Sequence, residues 1–349
     1  EDKLNITKIN EGLSGNLCRC TGYKPIIAAA FSSINEKANN PADYYTKNQT
    51  KIKQTLARLN KAQNVSLSYN NNGNTIHYDA PTSLKDLAKV LGNNPQATIL
   101  AGGTDLNLEI TQSTRQFSHI INISQVQELN AIKDEKSKIE IGSAVTYQDA
   151  SSSLIKYWPE LEGFLHRFAS LPIKNWATIG GNIANASPIG DMPPVLIALE
   201  AKLKLRKKSA IRSVKLEDFF IGYKKTALEE GEFIESITIP KPAPMERLIT
   251  HKISKRYEDD ISAVCMAMNV CLQDSKPKSV RVAFGGMSGI PQRAKQLEQV
   301  LLDYWDKEEL VQKAYSALKE EFSPLSDVRA SAEYRLQVSA NLVKKSVLG

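Results

Sequence analysis

The stretch Asn175-Trp-Ala-Thr-Ile-Gly-Gly-Asn-Ile-Ala-Asn-Ala-Ser-Pro-Ile-Gly-Asp191 decides how this chain is interpreted. Its second half has few bulky side chains, and short hydrogen-bonding groups stand between its glycines and alanines. Bare backbone lets a ligand approach closely, and adjacent glycines permit positive φ, so consecutive N–H groups can converge on an anion. The stretch therefore predicts a surface that holds a large polar cofactor along the main chain. An ordinary Gly-Gly turn followed by a loop of small residues is the alternative.

A second Gly-Gly turn lies upstream, in Ala101-Gly-Gly-Thr-Asp-Leu106, directly after the apolar stretch Ala97-Thr-Ile-Leu100. The apolar stretch predicts a short buried strand. A Gly-Gly turn after a strand can direct amide donors, together with the Thr104 hydroxyl, at a diphosphate. No Gly-Lys-Ser/Thr follows and the three-glycine dinucleotide fingerprint is absent, so neither common nucleotide motif applies.

Composition excludes several classes of protein. The net charge is +7, from 45 basic and 38 acidic residues, but the lysines are scattered and no basic stripe is interleaved with aromatic residues, so we expect no nucleic-acid binding. No apolar run is long enough for a membrane span. Four cysteines do not make a disulfide framework in 349 residues, and the four histidines lack zinc-ligand spacing.

Five collinear motifs resemble one family, the flavoproteins of the molybdenum hydroxylases, which include xanthine dehydrogenase and carbon monoxide dehydrogenase. The two Gly-Gly turns resemble the family's FAD-binding domain. Residues 15–23 look like the second half of its helical iron–sulfur domain, and residues 284–294 like its C-terminal flavoprotein domain. Residues 326–337 are similar to the xanthine dehydrogenase branch. The resemblance covers nearly the whole chain except residues 36–74.

The resemblance and the element pattern together predict a multidomain α+β protein. We expect a partial all-α [2Fe–2S] domain at 1–38, a linker at 39–74, an FAD-binding domain of the vanillyl-alcohol-oxidase type at 75–242, and an α/β domain like the C-terminal domain of the carbon monoxide dehydrogenase flavoprotein at 243–349. The chain begins with Glu1 rather than Met, and we expect that the natural N-terminus, with the family's ferredoxin-like domain, is missing.

Local signals predict the main elements. The linker composition allows a short helix at 51–59. Further on we expect a strand at 76–81, a helix at 83–91 capped by Thr82, and helical structure at 147–168 interrupted at Pro159. A short helix is expected at 194–199. The C-terminal part should contain strands at 248–253, 263–272 and 279–284, then helices at 293–304, 308–320 and 329–347.

Carried over position by position, the resemblance implies an FAD site. Residues of the two turns should surround the diphosphate, Phe168 should lie against the isoalloxazine ring, and Asp191 should accept a hydrogen bond from a hydroxyl group. The implied FAD-binding residues are Ile99, Leu100, Ala101, Gly102, Gly103, Thr104, Asp105, Leu106, Phe168, Thr178, Gly181, Asn182, Asp191, Ile234 and Lys252.

The resemblance also implies that the charged loop Arg256, Glu258, Asp259 and Asp260 borders the flavin face where NAD+ docks. A solvated charged turn is the alternative.

Cys18 and Cys20 lie in a turn between two predicted helices, and the resemblance implies that they are metal ligands. A [2Fe–2S] cluster takes four cysteine ligands, so two thiolates do not complete the site. In the family the other two come from an upstream Cys-x-x-Cys, which is absent here. Either that portion is a separate chain or it has been removed, and two free cysteines in a loop are the alternative.

The implied function is electron transfer. Electrons would pass from a large subunit that carries molybdopterin, through [2Fe–2S] clusters, to the FAD of this chain and then to NAD+, during purine oxidation. The implied partners are that large subunit, the ferredoxin-like N-terminal portion and NAD+, in a cytoplasmic (αβ)2 hetero-oligomer. The sequence holds no nucleophile–base constellation, so no catalytic residue is assigned. Another molybdenum hydroxylase and a flavin-free scaffold subunit are the alternatives.

Overall fold

A computed structural model describes residues 5–16, 20, 22–37, 43–59, 63–71 and 73–348 of the protein. The N-terminal part is helical: α1 (Ile6–Leu13), α2 (Lys24–Lys37) and α3 (Tyr44–Leu59). Asn5 begins α1, because its side chain accepts a hydrogen bond from the amide of Lys8. The stretch predicted as a linker thus contains α3, which is longer than the predicted short helix. It also contains strand β1 (Val65–Asn71), which the sequence analysis missed.

A four-stranded sheet, in the order β1-β2-β4-β3, opens the predicted FAD-binding region. Strand β1 pairs antiparallel with β2 (Asn74–Ala80), while β2 and β3 (Thr98–Leu100) are both parallel to β4 (His119–Asn122). Helix α4 (Leu84–Asn93) buries Leu87 and Leu91. Its N-cap is Ser83, whose side chain accepts from the amide of Asp86. The prediction of Thr82 as the cap was wrong: its amide and hydroxyl bind the side chain of Asn64.

A second, antiparallel sheet carries the centre of this region, in the order β5-β6-β11-β7-β8. Its strands are β5 (Ile132–Asp134), β6 (Lys138–Gly142), β7 (Lys202–Lys207), β8 (Ala210–Lys215) and β11 (Phe233–Pro240). A two-stranded ribbon, β9 (Phe220–Gly222) with β10 (Lys225–Thr226), lies between β8 and β11 in sequence. Strand β7 alternates buried leucines with lysines and lies inside the sheet, whose two edges are β5 and β8.

Six helices complete the FAD-binding region. They are α5 (Leu106–Thr111), α6 (Tyr147–Tyr157), α7 (Leu161–Phe168), α8 (Leu171–Lys174), α9 (Ile179–Ala184) and α10 (Met192–Ala198). Helices α6 and α7 are separated by residues 158–160, which include Pro159, as predicted. Helix α10 begins two residues before the predicted start.

The C-terminal region is a sheet covered by three helices. Strands β12 (Glu246–Ile253), β13 (Val264–Gln273), β14 (Lys276–Gly285) and β15 (Gln292–Arg293) pair in sequence order. Helices α11 (Lys295–Tyr304), α12 (Leu310–Glu321) and α13 (Ala332–Leu348) follow. One core cluster lies between this sheet and its helices.

A second, larger core cluster joins the two regions. It fills the centre of the FAD-binding region and includes Leu248, Cys265, Ala267 and Ala283 of the C-terminal sheet. The predicted mixed α+β class is confirmed. Among the described residues, no helix is long and apolar enough to cross a membrane.

Candidate flavin site

The first Gly-Gly turn follows β3 and is held against the backbone of Trp176. A Cβ atom on Gly102 would lie 1.6 Å from the carbonyl oxygen of Trp176, so only glycine fits there. Gly103 has φ of +73°, the left-handed conformation that glycine adopts without steric cost. The two predicted loops are therefore in backbone contact.

The second Gly-Gly pair lies in the first turn of α9. Thr178 caps this helix, because its Oγ1 accepts a hydrogen bond of 3.0 Å from the amide of Gly181. The expectation of positive φ was wrong here, since neither Gly180 nor Gly181 is in the left-handed region. Close approach is the reason for Gly180: a Cβ atom there would lie 2.4 Å from Cβ of Ser143.

A cavity of about 340 Å³ separates the two turns, a volume within the range of small-molecule sites. Eleven of the fifteen residues implied by the resemblance line it. They are Ile99, Ala101, Gly102, Gly103, Thr104, Asp105, Leu106, Thr178, Gly181, Asn182 and Ile234. The structure thus brings together residues that are up to 135 positions apart, Ile99 and Ile234 (234 − 99 = 135).

The wall formed by the first turn presents unpaired hydrogen-bond donors. Within the described part of the chain, none of the backbone amides from Gly102 to Asp105 donates to a protein acceptor. The described lining contains no lysine or arginine. These residues are half-buried or exposed, so their amides are free to donate to a ligand with acceptor oxygens. Convergent amides without cationic side chains suit a diphosphate held along the backbone.

Four implied residues do not line this cavity: Leu100, Phe168, Asp191 and Lys252. Leu100 belongs to β3 and its carbonyl accepts from the amide of Ile123. Phe168 packs against the ring of Tyr147, with centroids 4.5 Å apart.

Asp191 and Lys252 form a buried ion pair that is not part of the cavity lining. The Lys252 ammonium group donates to Asp191 Oδ2 at 2.5 Å and to Ser262 Oγ at 3.0 Å, and Ser262 Oγ donates to Asp191 Oδ1. Burial raises the pKa of the Asp191 carboxyl, and Lys252 opposes that rise. The pair links the start of α10 to β12 of the C-terminal sheet.

Nine lining residues were not assigned from the sequence. Ala177, Gly180, Ala184 and Asn185 belong to the stretch first singled out, and their small size was the available signal. Glu109 lies one helical turn beyond Leu106 on α5. The others are Ile123, Ser143, Leu228 and Phe233, which come from loops or strands with no local motif.

The charged loop after β12 is held by its own carboxylates. Asp260 accepts from the amides of Arg256 and Ile261, at 2.8 and 3.0 Å. Asp259 has φ of +52° and accepts from the amide of Gly15, at 3.2 Å. Arg167 donates to the carbonyl of Tyr257 and lies over its ring. The loop is therefore an ordered structure that also contacts the N-terminal segment.

Of the two predicted cluster ligands, Cys20 is exposed and Cys18 lies outside the described residues. No group of three or more His, Cys, Asp or Glu side chains in the described ranges could hold a metal ion. The predicted [2Fe–2S] site stays a prediction.

Comparison with known proteins accounts for this arrangement. Residues 74–242 match the family described as the FAD binding domain in molybdopterin dehydrogenase, and residues 249–349 match the CO dehydrogenase flavoprotein C-terminal domain. The chain is thus similar to both families, each over one part of its length. Both glycine turns and every residue that lines the cavity lie within the first match, while Lys252 lies within the second.

Relatives of this chain include xanthine dehydrogenases. Xanthine dehydrogenase 1 of Arabidopsis thaliana is 28% identical over 89% of the chain, and the xanthine dehydrogenase/oxidase of Rattus norvegicus is 29% identical over 92%. The chain spans 27% of the length of each.

Solved structures extend the comparison to other enzymes. A carbon monoxide dehydrogenase from Hydrogenophaga pseudoflava superposes with a TM-score of 0.72 at 29% identity, covering 77% of this chain and 94% of the other. Quinoline 2-oxidoreductase from Pseudomonas putida 86 gives 0.70 at 26%, covering 78% and 95%.

Proposed function

We propose that this chain is the FAD-containing electron-transfer subunit of a xanthine dehydrogenase. In the proposed complex a molybdopterin subunit oxidises hypoxanthine and xanthine to urate. Electrons pass through [2Fe–2S] clusters to the FAD of this chain and then to NAD+. The observation that supports the proposal most is the cavity between two glycine turns, with four unpaired amides, inside an FAD binding domain.

Different residues of the chain would hold the diphosphate and the flavin ring of FAD. The amides of residues 102–105 and the Thr104 hydroxyl would hold the diphosphate, and Asn182 would contact the flavin end. Phe168, held by Tyr147, would lie against the ring, and Asp191 with Lys252 would border it. FAD supplies exchange between single-electron and two-electron transfer, which no side chain provides.

The proposed complex also contains a [2Fe–2S] cluster shared between two portions. Cys18 and Cys20 would supply two of its ligands, and a ferredoxin-like portion would supply the other two. We propose an (αβ)2 assembly and the domain limits 1–38, 39–74, 75–242 and 243–349. Iron analysis of this chain alone should find less than one cluster per chain, and adding the ferredoxin-like portion should restore it. A stable stoichiometric cluster on the chain alone would contradict this ligand set.

A second candidate is the same flavin subunit in another molybdenum hydroxylase. The superpositions on a carbon monoxide dehydrogenase and a quinoline oxidoreductase support it. An assay of the intact complex with purines, carbon monoxide, nicotinate and quinoline distinguishes the two. Turnover of a non-purine without xanthine turnover would replace the first proposal by the second.

Absorption and rapid kinetics test the flavin role. The purified chain should be yellow, and stopped-flow mixing with NADH should bleach it, with no xanthine oxidation by the chain alone. Asp260→Ala should slow the bleaching while FAD stays bound, because the loop loses its two amide contacts. The control is Glu308→Ala, an exposed carboxylate between α11 and α12, outside the loop. A colourless chain would favour the scaffold alternative, and equal bleaching in both variants would remove the loop from nicotinamide docking.

A further inference from the structure

Tyr147 is a buried residue that contacts two of the residues in the proposed flavin site. It begins α6, and its side chain has no solvent exposure. Its hydroxyl donates to Oδ1 of Asn182 at 2.9 Å, and its ring packs on Phe168. Burial raises the pKa of this phenol well above its usual range, so the hydroxyl keeps its proton at neutral pH.

This contact decides which face Asn182 shows to the cavity. A primary amide has one carbonyl acceptor and an NH2 group with two donors. The carbonyl oxygen is occupied by Tyr147, whereas Nδ2 donates to no residue in the described part of the chain. Asn182 lines the cavity, so its free NH2 group is the polar end available to a ligand.

We propose that Tyr147 is a positioning residue, which fixes the Asn182 amide as a hydrogen-bond donor toward an acceptor atom of the flavin. The inference rests on the proposed function. A donor aimed at the isoalloxazine acceptors stabilises the extra electron density of the reduced ring more than the oxidised ring. Tyr147 therefore raises the midpoint potential of the bound flavin without contacting it.

The test is Tyr147→Phe in the full chain, measured by FAD titration and by a redox titration of the bound flavin. Phenylalanine keeps the ring that packs on Phe168 and removes only the hydroxyl. The Asn182 amide is then free to rotate. We expect the dissociation constant for FAD to rise about fivefold, the factor for one neutral hydrogen bond, and the midpoint potential to become more negative.

Tyr157→Phe is the matched control. Tyr157 is the last residue of the same helix, and its hydroxyl donates to Asp134 rather than into the site. It should leave both FAD affinity and potential at the wild-type values. Wild-type affinity and potential in Tyr147→Phe would overturn the inference.

If Tyr147→Phe does not fold, Asn182→Asp provides the test with Tyr147 intact. An ionised carboxylate only accepts, so FAD should bind at least tenfold more weakly and the potential should fall. Wild-type binding in Asn182→Asp would overturn the inference. A wild-type chain that binds no FAD would instead overturn the proposed function and the inference together.

Discussion

The ammonium group of Lys252 lies 2.5 Å from a carboxylate oxygen of Asp191, and the two residues come from different regions of the fold. Both side chains are almost completely buried, and Ser262 completes the hydrogen bonding of the pair. While both partners remain, the attraction between the two charges opposes the cost of removing them from water. Loss of one partner leaves an uncompensated buried charge.

Lys252→Met should therefore destabilise the chain by about 3–5 kcal/mol, since it leaves the Asp191 carboxyl without its partner. The double variant Lys252→Met, Asp191→Asn should cost less than the sum of the single changes. Urea denaturation measures both. The control is Lys133→Met, which breaks an exposed pair with Glu140 and should cost no more than about 1 kcal/mol. If the double variant loses as much stability as Lys252→Met and Asp191→Asn measured singly and added together, the pair is not coupled.

Substitution of Gly103 in the first turn should abolish flavin binding while the chain still folds. Gly103→Val forces a branched side chain into a left-handed position, at a cost of about 1–2 kcal/mol, and should give a folded but colourless chain. Gly102→Ala should be more severe, because its Cβ meets the Trp176 carbonyl. Gly163→Ala on α7 meets no atom within 4 Å and should leave stability and flavin content intact. Full flavin content in Gly103→Val would refute the assignment of this turn.

His251 should make the fold sensitive to mild acid. Burial, with a smaller effect of Lys345, lowers its pKa from 6.5 to about 4, so the folded chain holds it neutral while the unfolded chain protonates. Stability should fall as pH drops from 6.5 towards 4, and this contribution should level off below that. Urea midpoints at several pH values, in wild type and in His251→Gln, measure the effect. The variant should lose less stability across this window, and parallel curves would exclude His251.

Asp259 should hold the N-terminal segment against the C-terminal sheet. Its carboxylate accepts from the amide of Gly15, and Ser14 accepts from the amide of Leu171 nearby. Asp259→Ala should therefore increase proteolytic cleavage before residue 38, with Glu258→Ala as the control from the same loop. Identical cleavage rates in the two variants would show that the contact carries no stability.

The two glycine turns could be predicted because their function depends on local chemistry. Small residues, short polar groups and their order along the chain are visible in residues 175–191 and 101–106. The φ angles could not be predicted in the same way. Gly180 is needed because it packs closely against Ser143, and its φ is not in the left-handed region. Tyr147 looked like an ordinary helix residue, since its partners Asn182 and Phe168 are 35 and 21 positions away (182 − 147 and 168 − 147). Contacts of that kind are fixed by packing between elements, and no local pattern reports them.

Strand β1, within the predicted linker, was missed for a different reason. Val65, Leu67 and Tyr69 alternate with polar residues, which is the period of a strand, but the surrounding residues are rich in Asn, Lys, Gln and Thr, and the prediction followed that composition. The strand lies at the edge of its sheet, held by seven residue pairs with β2, and these three apolar side chains are exposed.

The apolar side chains shared by the two regions have a consequence for how such proteins can be recombined. Leu248, Cys265, Ala267 and Ala283 complete a core whose other members precede residue 240. A chain that ends at residue 240 would expose the apolar side chains that these four residues cover, and it would aggregate. Chimaeras between relatives should therefore exchange residues 74–349 as one unit. A junction inside this unit would pack core side chains of one protein against those of another.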